Sequence, residues 1–491
     1  MAFKQDDDFL RFITMGAAGS AAVSRFLRET HGHSTVELER YAMANKIWAT
    51  KIKRLRLADL VCLNCGTRIE ARAKSKLQVR MSHSNAPGRE WDAGMRNEDL
   101  CAFVPWADNA AAASPECFTI EAMRSAAAFA RFGAPKAASE GAERDMTWTT
   151  RVPTRDSVVE AVDHARGKVS LRRSEGRRQT MSLPKDMPTH IYVEKGDKLR
   201  AGVRFAMGCL ARPDTLDCPG ETWDYRADLR SVSEIDRYVA IKAAGILGSE
   251  DVATELLDIA ADQNEDARVR LEAWASLSRL EPERYTREVT AQARARTAGD
   301  KPTMALAMEA IFILSELDSQ EAKETLSALA ADPSLDSEAR CASVWGLGVT
   351  GANDPARVLP YIADDDDAVA LHALSGIGPL PRTMLPEVAA MLAETDRAAA
   401  SASALLAQQG SAGIRLLLDA SARDGSAATS AAGALGELSP EEVRRTAGGT
   451  LPDELEHVLA PMWAQRQSWL RHQQNETPLQ FLERQTIRYL S

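Results

Sequence analysis

The sequence predicts a multidomain α+β protein that ends in an α-helical solenoid. Three observations carry this prediction: mixed helix and strand patterns at the start, a run of short strands after them, and a repeated helical pattern from about residue 232. The chain has 491 residues, enough for two to four domains. The predicted domains are an α/β domain at 1–140, a small β module at 146–212, a repeat region at 230–450 and a C-terminal helical cap at 451–491.

The composition is that of a folded, water-soluble protein. Hydrophobic residues make up 45% of the chain and charged residues 26%. No apolar run reaches the roughly 20 residues that span a bilayer, and the opening MAFKQDDDF has acids where an export signal has positive charge. The seven cysteines are scattered, which fits a reducing compartment better than a disulfide framework. We therefore expect a cytoplasmic protein with no membrane segment.

The N-terminal domain begins with helical patterns and continues with strands. Ser34 is placed as an N-cap, and Glu37 follows three residues later, as in a capping box. Alternating apolar residues indicate strands after this point. The predicted elements are helices at 9–30 and 35–50, a strand–turn–strand unit at 56–74, strands at 77–84 and 98–106, and a helix at 119–132.

The module at 146–212 reads as short strands separated by Gly, Pro and Asp turns. Its last part, HIYVEKGDKLRAGVRF, resembles the second half of a lipoyl- or biotinyl-type barrel-sandwich domain. The hairpin that would carry the modified lysine in that family, RRSEGRRQTMSLPK, lacks a lysine flanked in the usual way. We therefore expect a structural β module of this shape and not a carrier domain.

The repeat region contains helical motifs rich in Ala and Gly, most of them followed by a polar turn and a second amphipathic helix. A single pair of helices cannot bury its own apolar face, so such units stack. The pattern resembles HEAT repeats, about seven of them over roughly 220 residues. The motifs end near Leu247, Leu277, Leu314, Leu347, Ile377, Leu406 and Leu435.

The stretch RLADLVCLNCGTRIEARAK, residues 56–74, carries the chemistry. Side chains alternate along a strand, so Glu70, Arg72 and Lys74 share one face, and a hairpin returns Asp59 to Glu70. Paired carboxylates of this kind bind hard divalent cations. An alternative is that Asp59 and Glu70 are ordinary cross-strand partners of basic residues on a structural sheet.

This spacing of Asp59, Glu70 and the basic residues after it resembles the PD-(D/E)xK superfamily of restriction-endonuclease-like nucleases. The resemblance implies catalysis by Asp59 and Glu70 with Mg²⁺ or Mn²⁺. The family's lysine is replaced here by Arg72, which cannot serve as a general base. Lys74, one pleat further on, is the residue that could take its place. Members often add a Glu from the preceding helix, for which Glu39 is preferred over Glu37.

The neighbourhood of this stretch is basic although the whole chain has a net charge of −10. Residues 46–90 contain eleven Lys and Arg against three acids, and such a patch attracts phosphate backbones. Aromatic residues are few here, which favours DNA over RNA. The expected DNA-binding residues are Lys51, Lys53, Arg54, Arg56, Lys76 and Arg80.

Cys62 and Cys65 form half of a zinc-binding motif, CLNCG. Tetrahedral zinc needs two further ligands, and the sequence contains several candidates for them. The alternative is a hairpin turn that contains two small residues and no metal. The ligands considered are Cys101, Cys117, His83, His31 and His33.

Together these features predict a metal-dependent DNA endonuclease joined to a HEAT-repeat scaffold. The solenoid is acidic, with the run ADDDDA at 363–368, so we expect a protein partner there. Fusions of this kind, by analogy, belong to bacterial antiviral defence or DNA-processing systems. The alternative is a non-enzymatic DNA- or protein-binding adaptor with a degenerate nuclease fold. The sequence has no GxxxxGK[ST] motif and no GxGxxG motif after a predicted strand, so we expect no nucleotide cofactor.

Overall fold

The computed structural model describes residues 6–39, 55–75, 78–107, 110–111, 113–138, 141–295, 301–349, 355–423 and 425–465. The chain divides into two compact units, with the boundary after Glu255. The protein is thus a mixed α+β chain with a sheet-bearing N-terminal region and a C-terminal stack of helices. No helix in the described ranges combines the length and the apolar character needed to cross a membrane.

The first unit contains four helices and sixteen strands among its described residues. The helices are α1 (Asp6–His31), α2 (Ile120–Ser125), α3 (Tyr225–Asp228) and α4 (Glu234–Leu247). The strands are β1 (Thr35–Glu37), β2 (Leu60–Cys62), β3 (Arg68–Lys74), β4 (Arg80–His83), β5 (Leu100–Ala107), β6 (Ala110–Ala111), β7 (Glu116–Thr119), β8 (Arg131–Phe132), β9 (Arg144–Thr147), β10 (Thr150–Arg151), β11 (Ser157–Asp163), β12 (Lys168–Arg173), β13 (Arg178–Ser182), β14 (His190–Ile191), β15 (Lys198–Leu199) and β16 (Met207–Gly208).

The main sheet has the strand order β1-β2-β3-β5-β6, and β7 also pairs with β5. Strands β3 and β5 run parallel, and the other pairs are antiparallel. Helix α1 packs on β3, where Ile69 and Ala71 are buried with Val23. A Cβ on Gly19 would lie 2.6 Å from the Cβ of Ala73, so this glycine permits the close approach of helix and sheet.

The predicted helix at 35–50 is wrong at its start. Thr35–Glu37 form strand β1, which pairs with β2, and the remainder from residue 40 lies outside the described residues. Ser34 therefore caps no helix here, and its carbonyl accepts a hydrogen bond from the amide of Leu63 at 2.8 Å. The cause is tertiary: Val36 and its neighbour Leu38 pack with Val61 in a small core.

The predicted helix at 119–132 is also shorter than expected. Helix α2 ends at Ser125, a 3₁₀ turn follows at Ala127–Phe129, and strand β8 begins at Arg131. Thr119 caps the helix, because its hydroxyl accepts a hydrogen bond from the amide of Ala122 at 3.2 Å.

Two small antiparallel sheets occupy the region of the predicted β module. One has the order β13-β12-β11-β15 and the other β10-β16-β14. Side chains from both sheets share one core, in which Val159, Leu171 and Met207 are buried. A third small sheet, β4-β9-β8, joins residue 80 onward with residues 131–147.

The second unit is a stack of helices, and from residue 267 onward each of them contacts a helix one or two places away in chain order. The repeat landmarks from Leu277 to Leu435 lie in or directly after the first helix of successive pairs, which confirms the predicted helical repeat. The helices are α5 (Ala253–Ala261, which contains the unit boundary), α6 (Ala267–Leu280), α7 (Pro282–Arg294), α8 (Lys301–Glu316), α9 (Gln320–Ala331), α10 (Ser337–Val349), α11 (Pro355–Val358), α12 (Asp367–Gly376), α13 (Leu385–Ala390), α14 (Asp396–Ala407), α15 (Gly410–Ser421), α16 (Ser426–Glu437), α17 (Pro440–Thr446) and α18 (Asp453–Gln465).

Small residues allow close crossings in this stack. A Cβ on Gly348 of α10 would lie 2.3 Å from the carbonyl oxygen of Gly376 in α12. A Cβ on Gly346 would lie 2.2 Å from the hydroxyl of Ser315 in α8. The glycines of the VWGLG motif are therefore explained by close contact with neighbouring helices, Gly348 against backbone and Gly346 against a serine side chain.

Candidate active site

Strand β3 presents a row of charged side chains on one face. Arg68, Glu70, Arg72 and Lys74 alternate with the apolar residues that pack on α1. The exposed fraction of the side chain rises along this row, from 2% at Arg68 through 13% at Glu70 to 34% at Arg72. The row therefore leads from the interior to the surface, with Glu70 in the transition.

Asp59 lies at the bend just before β2 and next to Glu70. Its Oδ2 accepts a hydrogen bond from the amide of Ala71 at 2.7 Å. Its carbonyl oxygen accepts one from the amide of Leu38 at 3.0 Å, which brings the segment containing Glu39 alongside. The structure thus brings together three of the acids that the sequence singled out, although Glu39 follows a strand and not a helix.

The electrostatics of Glu70 reflect this crowding. The pKa of Glu70 is raised to about 7, chiefly by burial and in smaller part by the nearby carboxylates of Asp59 and Glu39. Arg72 and Arg56 act in the opposite direction. Arg72 forms an ion pair with Glu70 through its Nη2 and the carboxylate Oε1. The carboxyl of Glu70 is therefore poised between its protonated and ionised forms near neutral pH.

Lys74 sits at the outer end of the row. The pKa of Lys74 is lowered to about 8, chiefly by burial and in smaller part by the positive charges of Arg72 and Arg80. A lysine with such a pKa is partly deprotonated under mildly alkaline conditions. Arg72 cannot reach this state, because its pKa lies far above the physiological range.

Two of the expected DNA-binding residues fall in the described part of the chain. Arg56 contributes to the field at Glu70, and Arg80 forms an ion pair with Asp145 at 3.2 Å. Lys136 also contacts Asp145, at 3.2 Å, and Glu143, at 3.6 Å, so the cations beside Lys74 are paired with acids. The other expected residues, Lys51, Lys53, Arg54 and Lys76, lie outside the described residues.

A second cluster lies at the opposite end of the β2-β3 hairpin. One nitrogen of His33 and the sulfurs of Cys62, Cys65 and Cys218 all lie within 4.8 Å of one another and could hold a metal ion. Hydrogen bonds from Cys62, His33 and Thr67 lower the pKa of the Cys65 thiol.

The other ligands that the sequence left open are not in this cluster. Cys101 is buried beneath Glu70 and Arg72, and Cys117 lies in the core under α1. His83 hydrogen-bonds Asn85 at 3.1 Å. His31 is close to the cluster but pairs with Asp217 at 2.8 Å.

Cys218 is the ligand that sequence reasoning missed. It is 156 residues from Cys62 and belongs to no second CxxC pair, so spacing did not mark it. The available signal was the tripeptide Cys-Pro-Gly, in which Gly220 has a φ of +87° and turns the chain directly after the sulfur.

The acidic run of the second unit has partners within the helix stack. Asp364 pairs with Arg340 at 2.6 Å, and Asp367 pairs with Arg397. Asp366 caps α12 by accepting a hydrogen bond from the amide of Ala368 at 2.9 Å. Much of this charge therefore serves the fold, and the run is weaker evidence for a partner surface than its sequence implies.

No protein family model and no curated protein matches the chain. Solved structures that it resembles include the complex of CpcE and CpcF of phycocyanin lyase from Nostoc sp. PCC7120, at 14% identity and a TM-score of 0.23. That match covers 51% of this chain and 99% of the other. Human deoxyhypusine hydroxylase in complex with glycerol matches at 18% identity and a TM-score of 0.18, over 51% of this chain and 85% of the other.

Proposed function

We propose that the first unit hydrolyses DNA phosphodiester bonds with Mg²⁺ or Mn²⁺ at the site formed by Asp59, Glu70 and Glu39. One observation carries the proposal. The hairpin places Asp59 against the backbone beside Glu70, and the same face of β3 continues with Arg72 and Lys74. Converging carboxylates followed by cations suit a metal ion and a phosphate group side by side.

The donor set fits a hard divalent cation. The amide of Ala71 engages one oxygen of Asp59 and Arg72 engages one oxygen of Glu70, so each carboxylate has a second oxygen to offer. The pKa of Glu70 is raised mainly by burial and in part by the carboxylates of Asp59 and Glu39, and a bound cation would favour the ionised form. When bound, Mg²⁺ would polarise the phosphate and acidify a water molecule.

The basic side chains that follow Glu70 on β3 are assigned different roles in catalysis. Arg72 is charged at every physiological pH, so it suits the phosphate oxygens, where it offsets the negative charge that builds up during attack. Lys74, with its lowered pKa, is placed to orient the attacking water and accept its proton. Arg56 and Arg80 supply positive charge on either side for the DNA backbone.

Cleavage of supercoiled plasmid DNA in Mg²⁺ or Mn²⁺ tests this function. Asp59→Asn and Glu70→Gln should each reduce the rate at least about a hundredfold, because each removes a ligand without a large change in volume. Glu121→Gln is the matched control: it changes the same charge at an exposed position of α2 and should cleave normally.

The roles of Arg72 and Lys74 are separated by a double substitution. Lys74→Met should abolish cleavage. Arg72→Lys restores the family's usual lysine two residues after the acid, so it should return activity to the Lys74→Met protein. If the double variant folds normally but stays inactive, then a lysine at position 72 cannot take over the role of Lys74.

The alternative, a non-enzymatic adaptor, is favoured by the ion pair between Arg72 and Glu70, because the guanidinium competes with a metal ion for the negative charge of this carboxylate. An adaptor predicts DNA binding that is unchanged by Asp59→Asn and no cleavage by the natural protein with either metal. We further propose that the helix stack binds a protein partner, the usual role of helical repeats. The test of this second proposal is affinity purification of the tagged full chain, followed by identification of the proteins that purify with it.

A further inference from the structure

We propose that His33, Cys62, Cys65 and Cys218 form a structural zinc site that fixes the β2-β3 hairpin to the segment leading into α3. The site itself does not depend on the proposed nuclease activity. All four residues belong to the first unit.

The distances agree with four ligands around one ion. The sulfurs of Cys62 and Cys218 are 3.8 Å apart, and Cys65 Sγ lies 3.7 Å from His33 Nδ1. Two sulfurs at about 2.3 Å from a tetrahedral zinc are separated by about 3.8 Å, and a sulfur and an imidazole nitrogen by about 3.5 Å. A disulfide would need about 2.05 Å, and all three cysteines are free thiols.

The histidine is oriented as a ligand. Its Nε2 lies 2.8 Å from the carbonyl oxygen of Leu216, so Nε2 carries the proton and donates it to that oxygen. In the neutral ring Nδ1 is then the unprotonated nitrogen, and it faces the sulfurs, where a metal ion would take the place of a proton. A backbone carbonyl that sets the tautomer in this way is typical of metal-bound histidines. The ring is only 4% exposed, so it is not a surface group in contact with cysteines by chance.

The turn of the hairpin is shaped to present thiolates. The backbone amides of Asn64 and Cys65 hydrogen-bond to the sulfur of Cys62, and the amide of Thr67 does so to the sulfur of Cys65. Donors aimed at sulfur stabilise its negative charge. Gly66 follows with a φ of +73°, which completes the tight turn.

The fourth ligand arrives on a segment that has no helix or strand of its own. Residues 211–224 cross from β16 to α3 without regular structure. Backbone hydrogen bonds hold this segment beside the hairpin: Cys218 N donates to His31 O at 2.8 Å, and Thr222 N to Asn64 O at 3.0 Å. A metal would add the one strong link between the segment and the turn.

The zinc also has a consequence for the proposed active site, and this part rests on the proposed function. Strands β2 and β3 are paired by two residue pairs, Leu60 with Ile69 and Val61 with Arg68. So short a ladder fixes the register of β2 weakly, whereas β3 is held by six residue pairs with β5. A slip of β2 by one residue would turn Asp59 away from Glu70. A metal at the turn prevents that slip and keeps Glu70 opposite Asp59.

Metal analysis of the full chain, purified under reducing conditions and supplied with zinc, tests the site. One zinc per chain is expected for the natural protein and for Cys209→Ala, a control at a buried cysteine outside the cluster. Cys218→Ala should bind zinc at least tenfold more weakly, and Cys218→His should restore binding because imidazole also suits zinc. Substitution by Co²⁺ should give the intense visible bands of a tetrahedral thiolate site, and these should be lost in Cys218→Ala.

Several results would overturn the proposal. They are a natural protein without zinc, a stoichiometric content of iron instead, a disulfide between Cys62 and Cys218 found by mass spectrometry, or unchanged zinc affinity in Cys218→Ala. Circular dichroism of Cys218→Ala shows whether a loss of metal reflects general unfolding. If that variant is unfolded, the zinc content of Cys218→His tests the site instead. Loss of Mg²⁺-dependent cleavage with zinc still bound would instead count against the nuclease and leave the zinc site standing.

Discussion

Replacement of Gly66 by alanine probes the geometry of the hairpin turn directly. Gly66 has a φ of +73°, and an added Cβ would lie 2.6 Å from Cδ1 and Cγ of Trp223. The indole cannot easily move away, because its Nε1 donates to Asp228 at 2.8 Å and its amide donates to Asn64 O at 3.1 Å. The variant therefore combines a strained backbone with a steric clash.

The expected magnitude follows from these two terms. A left-handed backbone costs a residue with a Cβ about 1–2 kcal/mol, and overpacking of a filled site costs about 1–3 kcal/mol. Gly66→Ala should therefore lower the free energy of unfolding by about 2–5 kcal/mol. Gly88 has nearly the same φ, +72°, with nothing within 4 Å of the added Cβ, so Gly88→Ala should lose only about 1–2 kcal/mol.

Urea-induced unfolding of both variants and the natural protein measures the difference, and release of zinc to a chromogenic chelator reports on the turn. Zinc should leave faster from Gly66→Ala than from Gly88→Ala. Equal losses of stability in the two variants, with equal rates of zinc release, would refute the argument that Trp223 packs tightly on the turn.

Three further predictions concern charge and packing. The affinity for Mg²⁺, measured by calorimetric titration, should fall about tenfold from pH 8 to pH 6. The reason is that a carboxyl with a pKa of about 7 at Glu70 is about nine-tenths ionised at pH 8 and about one-tenth ionised at pH 6. An affinity that stays constant over this range would contradict the prediction. If Lys74 accepts a proton, the cleavage rate should rise as the pH increases through about 8, and Lys74→Arg should abolish that rise in a pH–rate profile. In the helix stack, Gly348→Ala should lower the melting temperature, because its Cβ would meet the carbonyl of Gly376. Gly433→Ala should raise the melting temperature, because nothing lies within 4 Å of its Cβ and alanine has the better helix propensity, worth up to about 1 kcal/mol. Calorimetric melting curves that shift in the same direction for both variants would contradict this prediction.

The features that the sequence predicted are those governed by a repeating pattern. Alternation along β3 places Glu70, Arg72 and Lys74 on one face whatever the rest of the chain does. The helix pairs of the second unit follow from a period of about 30 residues and from small residues at their crossings. Patterns of this kind are local, so one sequence is enough to recognise them.

The features that it did not predict depend on distant partners. Ser34 and Glu37 carry capping signals, but pairing with β2 and burial of Val36 make this segment a strand. Cys218 joins the cysteine cluster only through the path of an irregular segment, which no spacing rule encodes. The acids after residue 363 looked like an exposed patch, and their arginine partners lie on other helices.

The separation of 156 residues between Cys62 and Cys218 sets an order of events during synthesis. At roughly 5–20 residues per second, about 8–31 s pass between the synthesis of Cys62 and that of Cys218, the last of the four ligands. During that interval a metal ion can meet at most His33, Cys62 and Cys65. The complete metal centre can therefore form only after the β strands encoded between its ligands have been synthesised.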